Sequence, residues 1–153
     1  MKMLYMLILL APMTVKADLI SDMVSVAQSN GYKPTMAVLE AIKEASENYQ
    51  IDAMEMLAIS LIETGGGNHI KTRHNKNGSF DIGAFQINTV NHKFCEEFNL
   101  NNVKGNAFCA AKLLKRIKTT HKNDKEAVAR YHSSTKYHKD LYFGKIKTIL
   151  ADK

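Results

Sequence analysis

Apolar positions recur with a helical period along most of the chain. Leu19, Ile20, Met23, Val24 and Ala27 share one face, and Asn30-Gly31 marks the end of that helix. Beyond Lys33-Pro34, the residues Val38, Leu39, Ile42, Ala45 and Tyr49 outline a second. Asp52 followed by Glu55 makes a capping-box-like start to a third, ending at Glu63. From Met54 to Ile62 this helix has only Glu55 and Ser60 as clearly polar residues. A helix that is apolar almost all round is expected to run through a core. Ala107, Ala110, Ala111, Leu114 and Ile117 form another stripe. Asn123 and Glu126 resemble a further capped start leading into Ala127, Val128 and Tyr131, and Tyr142, Ile146, Ile149 and Leu150 support a C-terminal helix. Between Thr64 and His92 the pattern changes to glycine, asparagine and histidine. Asn77-Gly78 signals a tight turn there, with short β-capable pieces around Phe80 and from Phe85 to Ile87. The pattern predicts a mainly α fold with a small irregular or β region between helices.

Glu63 stands where these two textures meet, followed at once by Thr64-Gly65-Gly66-Gly67. A carboxylate there is partly desolvated and faces the negative end of the helix macrodipole. Both effects disfavour the charged form. An acid that keeps its proton near neutral pH suits glycosidic bond cleavage. The plain alternative is an exposed glutamate fraying into a glycine loop.

Met1-Lys2, the apolar run Met3 to Met13 and Val15-Lys16-Ala17 have the form of a signal peptide cut after Ala17. That run is well short of the roughly 20 residues of a spanning helix, which disfavours the alternative of an uncleaved anchor. The expectation is a leader over 1–17 and one exported, soluble domain over 18–153, located in the periplasm or otherwise outside the cytoplasm. Loss of Lys2 and Lys16 with the leader lowers the net charge from +6 to +4. A moderately basic exported chain suits an anionic polymer such as a cell wall, or a membrane surface. The lysines are scattered and do not alternate with aromatics, so nucleic acid is not expected as a partner. Cys95 and Cys109, the two cysteines, read as one disulfide in an exported protein, with two buried free thiols as the alternative.

Three segments resemble, in order and approximate spacing, the bacterial lytic transglycosylases of the soluble-lytic-transglycosylase type, a goose-type lysozyme-like family. Ala58 to Gly65 resembles their catalytic Glu-Ser segment. Ser79-Phe-Asp-Ile-Gly-Ala-Phe-Gln-Ile-Asn88 resembles their Gly-Leu-Met-Gln segment, and Ala129-Arg-Tyr-His-Ser133 their Ala-Tyr-Asn segment. The match runs over about residues 39–150 and is closest in flavour to small single-domain members that accompany secretion, conjugation and pilus systems. The resemblance implies a lysozyme-like fold, a monomer, no cofactor and no metal. It also implies cleavage of the bond between N-acetylmuramic acid and N-acetylglucosamine in peptidoglycan, giving 1,6-anhydromuramyl ends. Glu63 would be the sole acid and base, and Tyr131 would hydrogen-bond it. Gln86 and Asn88 would offer amides to the sugars, and Phe85 an apolar wall. Ser79 would contact the acid or the substrate.

Each of these residues also has a plainer reading. Tyr131 and Phe85 can belong to the core, Gln86 and Asn88 to an ordinary polar loop, and Ser79 to the turn after Asn77-Gly78. The chain departs from the family pattern at Thr64 for serine, at Ala84-Phe85 for Leu-Met and at His132 for asparagine. Asp81 raises a two-carboxylate hydrolase of lysozyme type as an alternative, although an Asx-type loop contact is the default. A wall-binding assembly protein with incidental catalysis is a third class. His69, His74 and His92 share the polar loop, but lack HExxH spacing and acidic support for a metal. The glycines after Glu63 end a helix, so they do not form an anion-binding loop, which opens one. They are expected to permit positive φ and close approach of a glycan. Residues 18–34 lie outside the match and either pack on the domain or dock a partner.

Overall fold

The computed structural model describes residues 18–67, 72–122 and 124–151. The leader expected over 1–17, together with His69 and Asn123, lies outside the described residues. Among the described residues, five α-helices and a three-stranded antiparallel sheet make up the fold: α1 (Leu19–Ser29), α2 (Met36–Tyr49), α3 (Ala53–Thr64), β1 (Arg73–His74), β2 (Phe80–Ile82), β3 (Ile87–Asn88), α4 (Val103–Thr120) and α5 (Lys136–Leu150). Short 3-10 turns cover Thr89–Asn91, Lys93–Cys95 and Ala127–Tyr131. The expectation of a mainly α chain with a small β region holds.

Helix α3 is central because its sequence leaves it no polar face. Every residue from Met56 to Leu61 is buried. The Asp52 side chain opens the helix by accepting from the N–H groups of Met54 at 2.7 Å and Glu55 at 3.4 Å. Glu55 itself pairs with Lys118 of α4 and so ties α3 to that helix. Helices α2 and α4 pack along each other and α5 packs on α3, while α1 rests on α2, α3 and α5. Met23, Val26 and Ala27 enter the common core. Asn30 donates to the Ile149 carbonyl at 3.1 Å. Residues 18–34 are therefore part of the domain.

The α3 terminus is a Schellman-type close. Gly65 N–H donates to Leu61 O and Gly66 N–H to Ser60 O. Gly66 has φ +75°, and a Cβ there would stand 2.6 Å from Pro34 Cβ. The close approach for which this glycine is needed is thus to Pro34, not to a glycan. Gly66 also accepts from Thr35 N–H at 3.0 Å, which links the α3 terminus to the entry of α2.

The segment expected to form a capped helix around Ala127 and Tyr131 is instead a single 3-10 turn of five residues. Asp124 accepts from Glu126 N–H and from Arg130 Nε, which closes the turn on itself. Only three of its residues are buried, too short an apolar face to propagate a helix. The two cysteines form a disulfide, with an S–S distance of 2.02 Å. It joins the 3-10 turn at Cys95 to the middle of α4, and both cysteines are buried.

Candidate active site

The last turn of α3 delivers Glu63 into a groove of about 740 Å³ that the sheet, α4 and the Ala127–Tyr131 turn line together. Its side chain is 10% exposed, so the carboxyl reaches the groove from a largely enclosed seat. The next residue helps to hold that seat. Thr64 Oγ1 donates its one hydrogen at 2.9 Å to Ala84 O in the turn between β2 and β3, with Ser60 O the second acceptor in reach at 3.2 Å.

That turn is built around Asn106 of α4, a polar residue in an otherwise apolar stripe. Its amide donates to Ile82 O at 2.9 Å and Leu100 O at 3.1 Å, and its oxygen accepts from Phe85 N–H at 2.9 Å. Gly83 is needed there, because a Cβ would sit 2.4 Å from the Asn106 amide nitrogen. Gln86 completes the turn with φ +48°, and its amide donates to Gly83 O. Gln86 lines the groove. Phe85 does not. Its side chain is fully buried, so the core reading applies to it and the apolar-wall reading does not.

The phenol that meets Glu63 comes from α5. Tyr142 donates to Glu63 Oε1 at 2.9 Å. Tyr131, expected in that role, donates to the Phe85 carbonyl at 2.9 Å. A phenol has one hydrogen to give, so Tyr131, which also lines the groove, fastens the β2–β3 turn instead. Both phenols are pushed well above the ordinary tyrosine range, first by burial and then by the nearby Glu63 charge. They stay protonated, and Tyr142 remains a donor to the acid. His132 stacks on Tyr142 with ring centroids 4.6 Å apart.

Sheet register organises the opposite wall. Arg73 pairs across from Asp81, and Asp81 across from Asn88, so the three side chains form one cross-strand row. Asp81 is 6% exposed. Its Oδ2 accepts from Arg73 Nε and Nη2 and from Asn75 Nδ2, while Oδ1 accepts from Asn88 Nδ2 at 2.7 Å. Among the described lining residues the carboxylates are Glu63 and Asp81. Asp81 is held as a fixed acceptor by four donor contacts, while Glu63 meets one phenol and the imidazole edge.

Of the expected substrate contacts, Asn88 belongs to this row and Ser79 is hydrogen-bonded to it. The Asn88 amide donates to Ser79 Oγ and to Asp81, and its oxygen accepts from Val90 N–H. Ser79 donates to Asn77 Oδ1 at 2.7 Å and also accepts from Asn75. Ser79 and Asn88 therefore stiffen the wall, and both line the groove. His74 tilts against Phe80 and His92 meets the same ring edge-on. No group of three His, Cys, Asp or Glu side chains suited to a metal occurs among the described residues.

Sequence reading missed Tyr142, Asn106, Arg73 and Asn75. The signal for Asn106 was present, since an asparagine directly before Ala107 and one turn ahead of Ala110, at the head of an apolar stripe, needs a buried partner. Tyr142 carried none, because its place in an apolar helix face fully accounted for it. In comparisons with protein-family models and with curated proteins, no model and no protein matched the chain.

Proposed function

We propose that this protein is a peptidoglycan lytic transglycosylase. It cleaves the β-1,4 bond between N-acetylmuramic acid and N-acetylglucosamine with formation of 1,6-anhydromuramyl ends. One observation carries the reading: Glu63 opens on the groove from the end of a buried helix, held by a phenol, while the groove's other carboxylate is tied to its own wall. The resemblance around Glu63, Gln86 and Tyr131 supports the substrate class.

The hydrogen-bond geometry suggests which oxygen works. Tyr142 donates to Oε1, which favours the proton of the neutral acid on Oε2. From there Glu63 protonates the glycosidic oxygen as the bond to C1 breaks. The N-acetyl group of the muramyl unit supports the positive charge developing at C1. Glu63, now a carboxylate, takes the proton of the 6-hydroxyl as that oxygen attacks C1. The proton is returned, no water is consumed and the acid is restored. A lysozyme-type hydrolase would instead need Asp81 as nucleophile or base, and its two oxygens already face four donor contacts. The biological setting belongs to the same proposal: an exported monomer that opens the wall locally for a secretion, conjugation or pilus apparatus.

Digestion of purified peptidoglycan, followed by mass analysis of the released muropeptides, tests this. Anhydro products, lighter by one water than hydrolytic ones, are expected. Glu63→Gln should lower the rate by about 10²-fold or more, in keeping with loss of a general acid. Products carrying only reducing ends would replace the lyase by a muramidase. Full biological complementation by Glu63→Gln would point to a wall-binding assembly role.

A further inference from the structure

Cys109, Lys112 and Arg116 follow one another at helical spacing on one side of α4, and all three engage the 3-10 turn after the sheet. Cys109 is bonded to Cys95 of that turn. Lys112 donates to the Phe94 carbonyl at 2.7 Å, lies 4.5 Å from the centre of the Phe94 ring and pairs with Glu97. Arg116 sets its guanidinium over the same ring, 3.9 Å from the centroid. The disulfide and Lys112 hold the ring in place, and the ring holds the guanidinium. Such a contact engages the face of the guanidinium and leaves its in-plane donors for an anion.

Arg116 also belongs to the groove wall, together with Leu113 and Ile117 of the same helix. The other arginines of that wall are committed, Arg73 to Asp81 and Arg130 to Asp124. Arg116 is exposed, and among the described residues it has no acid partner and no hydrogen bond. Lys76 of the groove also lacks an acid partner among them, but it stands on the exposed turn between β1 and β2 with no ring to hold it. The groove shares His121 and Arg130 with a second recess of about 570 Å³, whose lining adds Lys122 and Lys139. The C-terminal end of α4 thus gives the groove a basic side, with one cation placed in advance and unused.

A strand of alternating N-acetylglucosamine and N-acetylmuramic acid carries its charge on the muramyl unit alone. On a bare unit the charge is the lactyl carboxylate. Where a stem peptide is attached, that carboxyl is an amide and the charge lies on the carboxylates of the peptide. We propose that Arg116 is a specificity-determining residue: it binds a carboxylate of the muramyl unit, lactyl or stem-peptide, and makes the groove favour muramyl glycan over neutral chitin-like glycan. The inference rests on the peptidoglycan reading of the groove. A guanidinium suits the task because it meets a carboxylate with two parallel N–H donors and keeps its charge at every working pH. The adjoining basic recess gives a peptide room to branch from the sugar strand.

The test is a binding titration in the Glu63→Gln background, where no turnover intrudes. The probes are glycan strands with stem peptides attached, the same strands stripped by an amidase, and a chitin oligosaccharide. Arg116→Gln should weaken binding of a carboxylated strand by about fivefold to tenfold and leave chitin binding unchanged. Weakening confined to the peptide-bearing strand assigns the contact to the stem, and weakening of the stripped strand assigns it to the lactyl group. Lys115→Gln is the control: it removes the same charge from an exposed position of α4 outside the groove lining and should change nothing. The proposal is overturned if Arg116→Gln weakens neither carboxylated strand, if it weakens chitin equally, or if Lys115→Gln has the same effect. If the protein with Arg116 intact binds no muramyl strand, the peptidoglycan reading fails and the proposal with it. Reducing ends in the digestion would change the reaction type alone and leave the carboxylate contact standing.

Discussion

Tyr131 and Tyr142 are both aromatic, both packed against the core and both near Glu63, yet their hydroxyls do different work. Tyr142 donates to the acid and Tyr131 to the Phe85 carbonyl. Tyr142→Phe keeps the ring beneath His132 and removes only the donor. A hydrogen bond to a charged group is worth about 1.5–3 kcal/mol, so kcat should fall about ten- to a hundredfold while thermal stability changes little. Tyr131→Phe leaves a carbonyl of a fully buried residue without its donor, at a cost of about 1–3 kcal/mol in folding stability, measured by urea titration. Equal losses of activity and stability in both variants would show that the two phenols are not specialised. At this scale the sequence was informative about chemistry and silent about pairing. Residue type and motif position singled out Glu63, Gln86 and Tyr131. Nothing local distinguished the tyrosine that touches the acid from the one that props the turn, because the Tyr142 contact spans 79 positions along the chain.

Among the elements, the helices were the most legible. The 3.6-residue period and the caps at Asp52 and Asn30 act within a single turn, and local interactions of that kind survive into the tertiary structure. The sheet was less so. Its strands are two or three residues long, too short for alternation to show, and their register is set by the Asn75 to Ser79 turn and by Arg73, Asp81 and Asn88. The turn at Ala127–Tyr131 was misread as a helix because a capped start and three apolar residues fit either form. The disulfide was legible from the cysteine pair together with the expectation of export, and here it fastens the 3-10 turn after the sheet to α4. Closing a loop of about 15 residues stabilises by roughly 3 kcal/mol in the chain-entropy model. Replacing Cys95 and Cys109 together by serine should lower stability by about that amount, read as a reduced midpoint of chemical denaturation. An unchanged midpoint would mean that the reduced chain is already held by the packing of α2 on α4.

For the molecule as a whole, two neutral phenols next to a carboxylate have a cost at high pH. Their folded-state affinity for the proton exceeds that of the unfolded chain, so the stability they contribute is complete below the ordinary tyrosine titration. It is lost as pH rises beyond about 10, because the unfolded state then sheds protons that the folded state keeps. Each phenol should contribute a slope of about 1.4 kcal/mol per pH unit in that range. Tyr142→Phe and Tyr131→Phe should each remove their own share of the slope, which unfolding titrations at successive alkaline pH values would measure. What the sequence by itself determined was the set of helices, the placement of an acid at the end of a buried one, the glycine close behind it and the cysteine pair. These depend on neighbours within a few residues or on composition. Only the tertiary structure decided which phenol and which imidazole meet Glu63, that Phe85 lies in the core and that Asp81 is tied to its wall. Those outcomes depend on how α3, α5 and the sheet come together, and no short stretch of chain carries the geometry of that meeting.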